Sequence, residues 1–211
     1  MLQNTASYPS ERDVFSREHT DNIYNVSTFM LTYTILEISF EIASSLFFGA
    51  LLAFATNLDR SPIFFLIAAL NCFCVLSCGE SVGIVFCTLF SHTGFALNIT
   101  SVVLTIATIM AGVISLDVPR WLQAFNYLSP LKYEVANMAV YLMRGRKFTC
   151  AVEQMVEGVC PLSTGEEVLK LYRLDKDSGL NLMAFGITTV VYRLIAWGVL
   201  LVVYGRRKHT G

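Results

Sequence analysis

Four ionisable side chains stand inside long apolar stretches: Glu37, Glu41, Glu80 and Arg193. A charge in hydrocarbon is costly, so such residues face protein or water. Glu37 and Glu41 are one helical turn apart and share a face. Arg193 is expected to pair with Glu41 or Glu80 and so lock a helix bundle. A protonatable relay is the alternative use of the same groups. A second set is uncharged. Asn98, Ser101, Thr105 and Thr108 recur at helical spacing and make one polar stripe on an otherwise apolar helix. Such a stripe suits a passage for amphipathic molecules. It also suits hydrogen bonding between helices or back onto its own helix. Other chemistry lacks candidates. His19, His92 and His209 form no triad or ligand pattern. Cys72, Cys74 and Cys78 lie among apolar residues with no histidine near, so they read as small hydrophobes and no metal site is expected. No G-x-x-x-x-G-K-[ST] motif is present to cradle nucleotide phosphates.

The elements that position these groups are hydrophobic. Of 211 residues, 55% are hydrophobic and only 15% charged, against roughly 25% charged in an ordinary soluble domain. Mean hydropathy is +0.58. Aromatic content and long apolar runs exclude disorder. The net charge of −1 offers no field for nucleic acid, and none is expected as a partner. A bilayer core needs about 20 mostly apolar residues as helix. Four stretches qualify: 30–55, 63–90, 95–116 and 183–204. Backbone groups in lipid must be satisfied within the segment, so these are helices. The expected fold is an all-α membrane protein with four transmembrane helices, and the lipid bilayer is its first partner.

Short polar turns, NLDRSP (Asn57 to Pro62) and SHTG (Ser91 to Gly94), join the first three spans. A long segment, 117–182, precedes the last. Arg206, Arg207 and Lys208 follow that span directly and place the 205–211 tail in the cytosol. Four crossings return the 1–29 segment to the same side, so both termini are expected to be cytosolic. The 117–182 loop then faces outward or into a lumen. Its aromatics and prolines, among them Trp121, Tyr127, Pro130 and Tyr133, suggest re-entrant helices rather than a fifth crossing. Cys150 and Cys160 would meet an oxidising compartment there. An intraloop disulfide is the expected arrangement; two free thiols or an intersubunit bridge are the others. The stretch Glu11 to Thr20 mixes charge with Val14 and Phe15 and reads as a short amphipathic helix at the membrane face.

Several segments, taken together and in order, resemble one family. These are ERDVFSRE (Glu11 to Glu18), ILEISFE (Ile35 to Glu41), MAGVI (Met110 to Ile114), VPRWLQAFNYLSPLKYEVANM (Val118 to Met138), TGEEVL (Thr164 to Leu169) and YRLIAW (Tyr192 to Trp197). They resemble the transmembrane domain of G-subfamily ABC transporters, an ABC-2 type permease. That family includes eye-pigment, multidrug and sterol half-transporters and their fungal relatives. Ser39 departs from it, standing where many relatives carry proline.

The resemblance implies that the four spans are the last four of six. It implies that the helix with Glu11, Arg12, Phe15, Arg17 and Glu18 is a coupling helix, with Phe15 as apolar anchor and the charges fixing orientation. Ser101, Thr105 and Thr108 match cavity-lining positions at a dimer axis, and Asn98 continues their stripe. Val113 and Ile114 match an apolar gate above that cavity. The implied partners are a nucleotide-binding domain, absent from this sequence, and a second copy or homologous half. ATP and magnesium would belong to that domain, and this chain carries no cofactor and no catalytic residue of its own. The implied function is the permease part of an ATP-driven exporter of lipids, sterols or hydrophobic compounds, in the plasma membrane or a vacuolar or other internal membrane. An ATP-independent channel or carrier, or a membrane scaffold, remains the alternative at this point.

Overall fold

A computed structural model describes residues 2–21, 23–55, 62–90, 92–111, 129–148, 163–172, 174 and 177–210. Among these the chain forms seven helices and no strand. They are α1 (Leu2–Thr20), α2 (Val26–Ala55), α3 (Pro62–Leu89), α4 (Thr93–Met110), α5 (Pro130–Met143), α6 (Gly165–Leu171) and α7 (Ser178–Thr210). Four of them, α2, α3, α4 and α7, are long and apolar enough to cross a membrane. Val113, Ile114, Cys150 and Cys160 lie outside the described residues, so the expected gate and disulfide have no structural description.

α3 is the centre of the bundle. It packs against α1, α2, α4, α5 and α7. Half of its apolar window is buried inside the chain, against 11% of that of α4. Its composition explains this. Ala68, Ala69, Cys74, Ser77, Cys78, Gly79, Ser81, Gly83 and Cys87 are small and buried, and small side chains let neighbouring helices come close where lipid gives no hydrophobic drive. Cys72, Cys74, Cys78 and Cys87 are all free thiols, three of them buried. At Gly49 α2 comes close to α3: a Cβ there would sit 3.3 Å from that of Ala69. α2 itself runs unbroken through Ser39, whose hydroxyl donates to the Ile35 carbonyl at 3.2 Å. The departure from proline is therefore accommodated as ordinary helix, with the backbone N–H that proline would have removed.

The main apolar cluster gathers one end of the bundle. Tyr8 and Phe15 of α1 meet Val26, Met30 and Tyr33 of α2, Ile84 and Cys87 of α3, Ala96 of α4, and Ala196, Leu200 and Tyr204 of α7. The start of α2, the end of α3 and the end of α7 thus share a side with α1. The short helices α5 and α6 belong to the 117–182 segment, and α5 packs on α3 and α7. Pro130 opens α5, where its missing N–H costs nothing. α6 begins with a capping box: the Thr164 side chain receives the Glu167 N–H, and the Glu167 carboxylate receives the Thr164 N–H at 3.1 Å. The TGEEVL segment is thus a helix start. Gly165 is required behind it, because a Cβ there would strike the Met143 carbonyl.

Candidate functional site

α1 is longer than the Glu11–Thr20 helix expected. Its buried rings, Tyr8 and Phe15, stand two turns apart rather than forming a continuous apolar stripe. Phe15, expected as the apolar anchor of a coupling helix, is fully buried within this chain in an aromatic nest. Phe29 stacks on it at 4.3 Å, Tyr204 meets it edge-on at 5.1 Å, and Tyr24 and His19 complete the wall. Four aromatic neighbours hold the ring more strongly than an exposed membrane face could. Arg12 and Glu18 also turn inward. Arg12 donates to the Cys87 carbonyl and, at 3.3 Å, to that of Phe90. Glu18 accepts from the Tyr24 hydroxyl, and that bond holds the phenol up at about 12. Among the described side chains of α1, Ser10, Glu11, Asp13, Val14 and Arg17 are exposed. Burial, helped by the Glu37 charge, raises the Glu11 carboxyl.

Inside the bundle the structure brings together three of the four ionisable groups carried by the apolar helices. Glu41 and Glu80 are each only 2% exposed. Arg193 Nη1 lies 3.9 Å from Glu80 Oε2, an ion pair at the edge of reach and longer than a charge-assisted hydrogen bond. Glu80 is thus the partner that Arg193 takes. Glu41 faces the same cluster, with Glu80, Ser77 and Arg193 around its carboxyl. Glu37 lies half-buried one turn earlier on α2. Beside this cluster Cys78 donates to the Thr189 hydroxyl at 3.5 Å, joining α3 to α7 again.

A third polar site escapes a reading of the sequence alone. Asn137 of α5 is fully buried between Asn71 of α3 and Asn181 of α7. Its Nδ2 donates to Asn71 Oδ1 at 3.1 Å, and its Oδ1 accepts from Asn181 Nδ2 at 3.1 Å. Asn71 Nδ2 donates in turn to the Ile67 carbonyl at 2.9 Å. The signal was present: three asparagines in apolar surroundings, each needing partners. Sequence alone could not pair residues so far apart in the chain. Glu134 lies near this end, and burial pushes its carboxyl up to about 7.

The stripe on α4 is arranged oppositely. Asn98, Thr105 and Thr108 are exposed and Ser101 half-buried, while Ala96 and Thr100 turn into the bundle. Thr105 donates to the Ser101 carbonyl at 2.8 Å and Thr108 to that of Leu104 at 2.9 Å. The hydroxyl protons are therefore used within the helix, as the plainer reading of such residues allows. Their lone pairs stay directed outward, available as acceptors. An apolar groove of about 430 Å³ runs beside α4 between α3 and α7, with Val85, Phe86, Val103 and Ile195 in its walls.

Residues 1–143 match the model of the family described as ABC-2 type transporter. The chain belongs to that family. The ABC-2 permease is 35% identical over 95% of its length to an uncharacterized ABC transporter ATP-binding protein/permease of Saccharomyces cerevisiae, and spans 16% of that relative. It is 21% identical over 81% of its length to ABC transporter G family member 1 of Dictyostelium discoideum, spanning 22% of it. With ABC transporter G family member 23 of Arabidopsis thaliana the figures are 27% identity, 92% of this chain and 31% of the relative. The ABC-2 permease is thus an integral membrane domain of transporter type, and its sequence contains no phosphate-binding loop.

Proposed function

We propose that this chain is the permease portion of an ATP-driven exporter that moves lipids, sterols or other hydrophobic compounds by alternating access. The observation that carries the reading is the outward placement of the α4 hydroxyl stripe. An amphipathic cargo needs apolar walls with a few acceptors, and α4 offers Val102, Ile106 and Ile109 beside Thr105 and Thr108. A second copy or a homologous half, placing its own α4 opposite, would enclose a vestibule. Val113 and Ile114 would then close that vestibule by excluding water.

A nucleotide-binding domain holding ATP and magnesium would dock on the exposed side of α1, through Glu11, Asp13, Val14 and Arg17. Phe15 then fixes α1 to the spans rather than to the partner. Under this reading α1 and both termini face the cytosol, α5 and α6 stand on the opposite side as re-entrant elements, and Cys150 and Cys160 of the same segment form a disulfide. The membrane would be the plasma membrane or a vacuolar or other internal one.

The test replaces Thr105 and Thr108 with leucine in the full transporter. Transport of a fluorescent phospholipid or sterol probe is expected to fall at least about tenfold, with assembly and ATP hydrolysis retained. Unchanged transport of every probe that the parent moves would refute a passage along α4.

A further inference from the structure

We propose that Glu134 is a proton-operated latch for α5: with a proton on its carboxyl the short helix sits down on α3, α4 and α7, and without that proton its first turns lift toward water. The seat belongs to this chain alone. Its use, as a control on release from the α4 passage by the pH of the compartment that α5 faces, rests on the exporter reading.

The seat is built from apolar and amide contacts. α5 packs on α3, α4 and α7. Its Pro130, Ala136 and Val140 are buried, and Tyr133 stacks on Phe185 of α7 with ring centroids 6.4 Å apart. Asn137 joins α3 and α7 through its amide. Glu134 stands one turn before Asn137 and Met138, so the three share a face. That face is turned to α3, where Asn71 meets both Asn137 and Met138. Cys72, next to Asn71, faces the Glu134 carboxyl. A carboxyl group is thus set into the surface that α5 must bury to sit down.

Its surroundings favour the neutral form. Among the described residues no hydrogen bond and no cation acts on the Glu134 carboxyl. α3 offers the Cys72 thiol. α4 carries no ionisable side chain. α7 offers the neutral Asn181, with Asp177 exposed just before the helix and Arg193 roughly 18 Å further along it. On α5 itself Lys132 and Tyr133 precede Glu134, and Tyr141 lies two turns on. Glu166, Glu167 and Lys170 of α6 belong to the other end of α5, where Gly165 meets Met143. Seating an ionised Glu134 strips a carboxylate of water and supplies no partner, whereas the carboxylic acid is buried at far lower cost. Burial accordingly lifts the group from its ordinary 4.5 to about 7. In a lifted α5 it returns to the ordinary value. The seat is therefore firmest below that ordinary value and is lost as pH rises through 7. Between pH 5 and pH 8 the opening of α5 is expected to grow on the order of fifty- to hundredfold.

The test uses the full transporter in lipid nanodiscs, with the proton as the only ligand varied. The readout is amide hydrogen exchange of residues 130–143 at pH 5 and pH 8, each rate divided by that of the unstructured peptide at the same pH. The parent is expected to lose protection there by the factor above while residues 71–88 of α3 keep theirs. Glu134→Gln is expected to stay protected at both values. Glu134→Asp, which keeps the carboxyl, is expected to keep the pH response. Asn137→Ala weakens the seat without removing the titrating group, so protection falls at both values and the response remains. Equal protection of the parent at both values overturns the proposal. So does a response that survives in Glu134→Gln, or one that disappears in Cys72→Ser, since the thiol would then be the titrating group. Sealed vesicles with pH set separately on the two sides test the use of the latch. A seated α5 braces α4, so transport of a fluorescent phospholipid probe is expected to slow when the α5 side is acid, in the parent and not in Glu134→Gln. A parent slowed only by acid on the α1 side refutes that use. If no probe moves at any pH, the exporter reading fails, and the exchange of residues 130–143 still decides the latch.

Discussion

α3 and α4 are adjacent apolar helices joined by a short turn, yet they treat their polar residues in opposite ways. α3 turns Asn71, Ser77, Glu80 and Ser81 into the chain, where they meet partners on α5 and α7 or on α3 itself. α4 turns Asn98, Thr105 and Thr108 away from the chain. Inside a bundle a polar side chain specifies which helices meet and at what register, because an unmatched one is costly. On an outer face it specifies nothing within this chain, and its use must lie with something outside. α3 therefore reads as the helix that organises the fold, and α4 as the helix offered to a partner or cargo.

The largest effect that tests this contrast is removal of Arg193, the cation that reaches Glu80 of α3. Arg193→Met removes the guanidinium that reaches Glu80 and leaves the two buried carboxyls of Glu41 and Glu80 beside an apolar side chain. Breaking a buried pair from one side costs about 3–5 kcal/mol. Unfolding in mild detergent is expected to show a loss of that size. Adding Glu80→Leu to Arg193→Met should recover most of it, because the remaining site can pack without the pair. A loss under about 1 kcal/mol for Arg193→Met would mean that the polar cluster does not organise the bundle.

Next in size is a pH effect at the far end of α3. Burial lifts the Glu134 carboxyl from its ordinary 4.5 to about 7. The folded chain therefore favours the protonated form. Its stability is highest below the unfolded value and declines as pH rises towards 7. A tenfold difference in proton affinity between the folded and unfolded chains is worth about 1.4 kcal/mol, so the decline reaches at most about 3 kcal/mol. Glu134→Gln is expected to flatten this slope and to be the more stable protein at pH 8. A slope unchanged by the substitution would show that water reaches Glu134 and that α5 packs only loosely on α3 and α7.

The four membrane helices were legible because their length and hydropathy are set by the bilayer rather than by tertiary contacts. The α4 stripe was legible for a related reason: its residues share a face by helical period alone. The direction of Phe15 was not, because an amphipathic pattern gives an apolar residue without saying which way it points. Only the folded chain shows that Phe29, Tyr24 and Tyr204 are there to receive it. Asn137 and Asn181 were hidden because their partnership spans α3, α5 and α7, and no local period encodes a contact of that kind. Arg12 is an intermediate case. Its charge and its neighbour Asp13 were visible, but its acceptors on α3 are backbone carbonyls, which every residue carries and no sequence distinguishes.

The smallest stability effect gives the sharpest contrast. Thr105→Val and Thr108→Val keep the side-chain shape on α4 and remove only the hydroxyls. The hydroxyls bond to their own helix and touch no buried partner. Stability is expected to move by no more than about 0.5 kcal/mol for each. A similar loss of hydroxyl on α3, Ser81→Ala, removes a fully buried group bonded to the Ser77 carbonyl at 2.8 Å and serves as the reference. If α4 lines a passage, the valine pair changes transport of polar-headed probes more than of purely apolar ones, at constant stability. If α4 is only packing surface for another helix, stability and assembly of the full transporter fall together and the choice of probe makes no difference. The two uses of an exposed stripe, indistinguishable by spacing, then separate by which measurement moves.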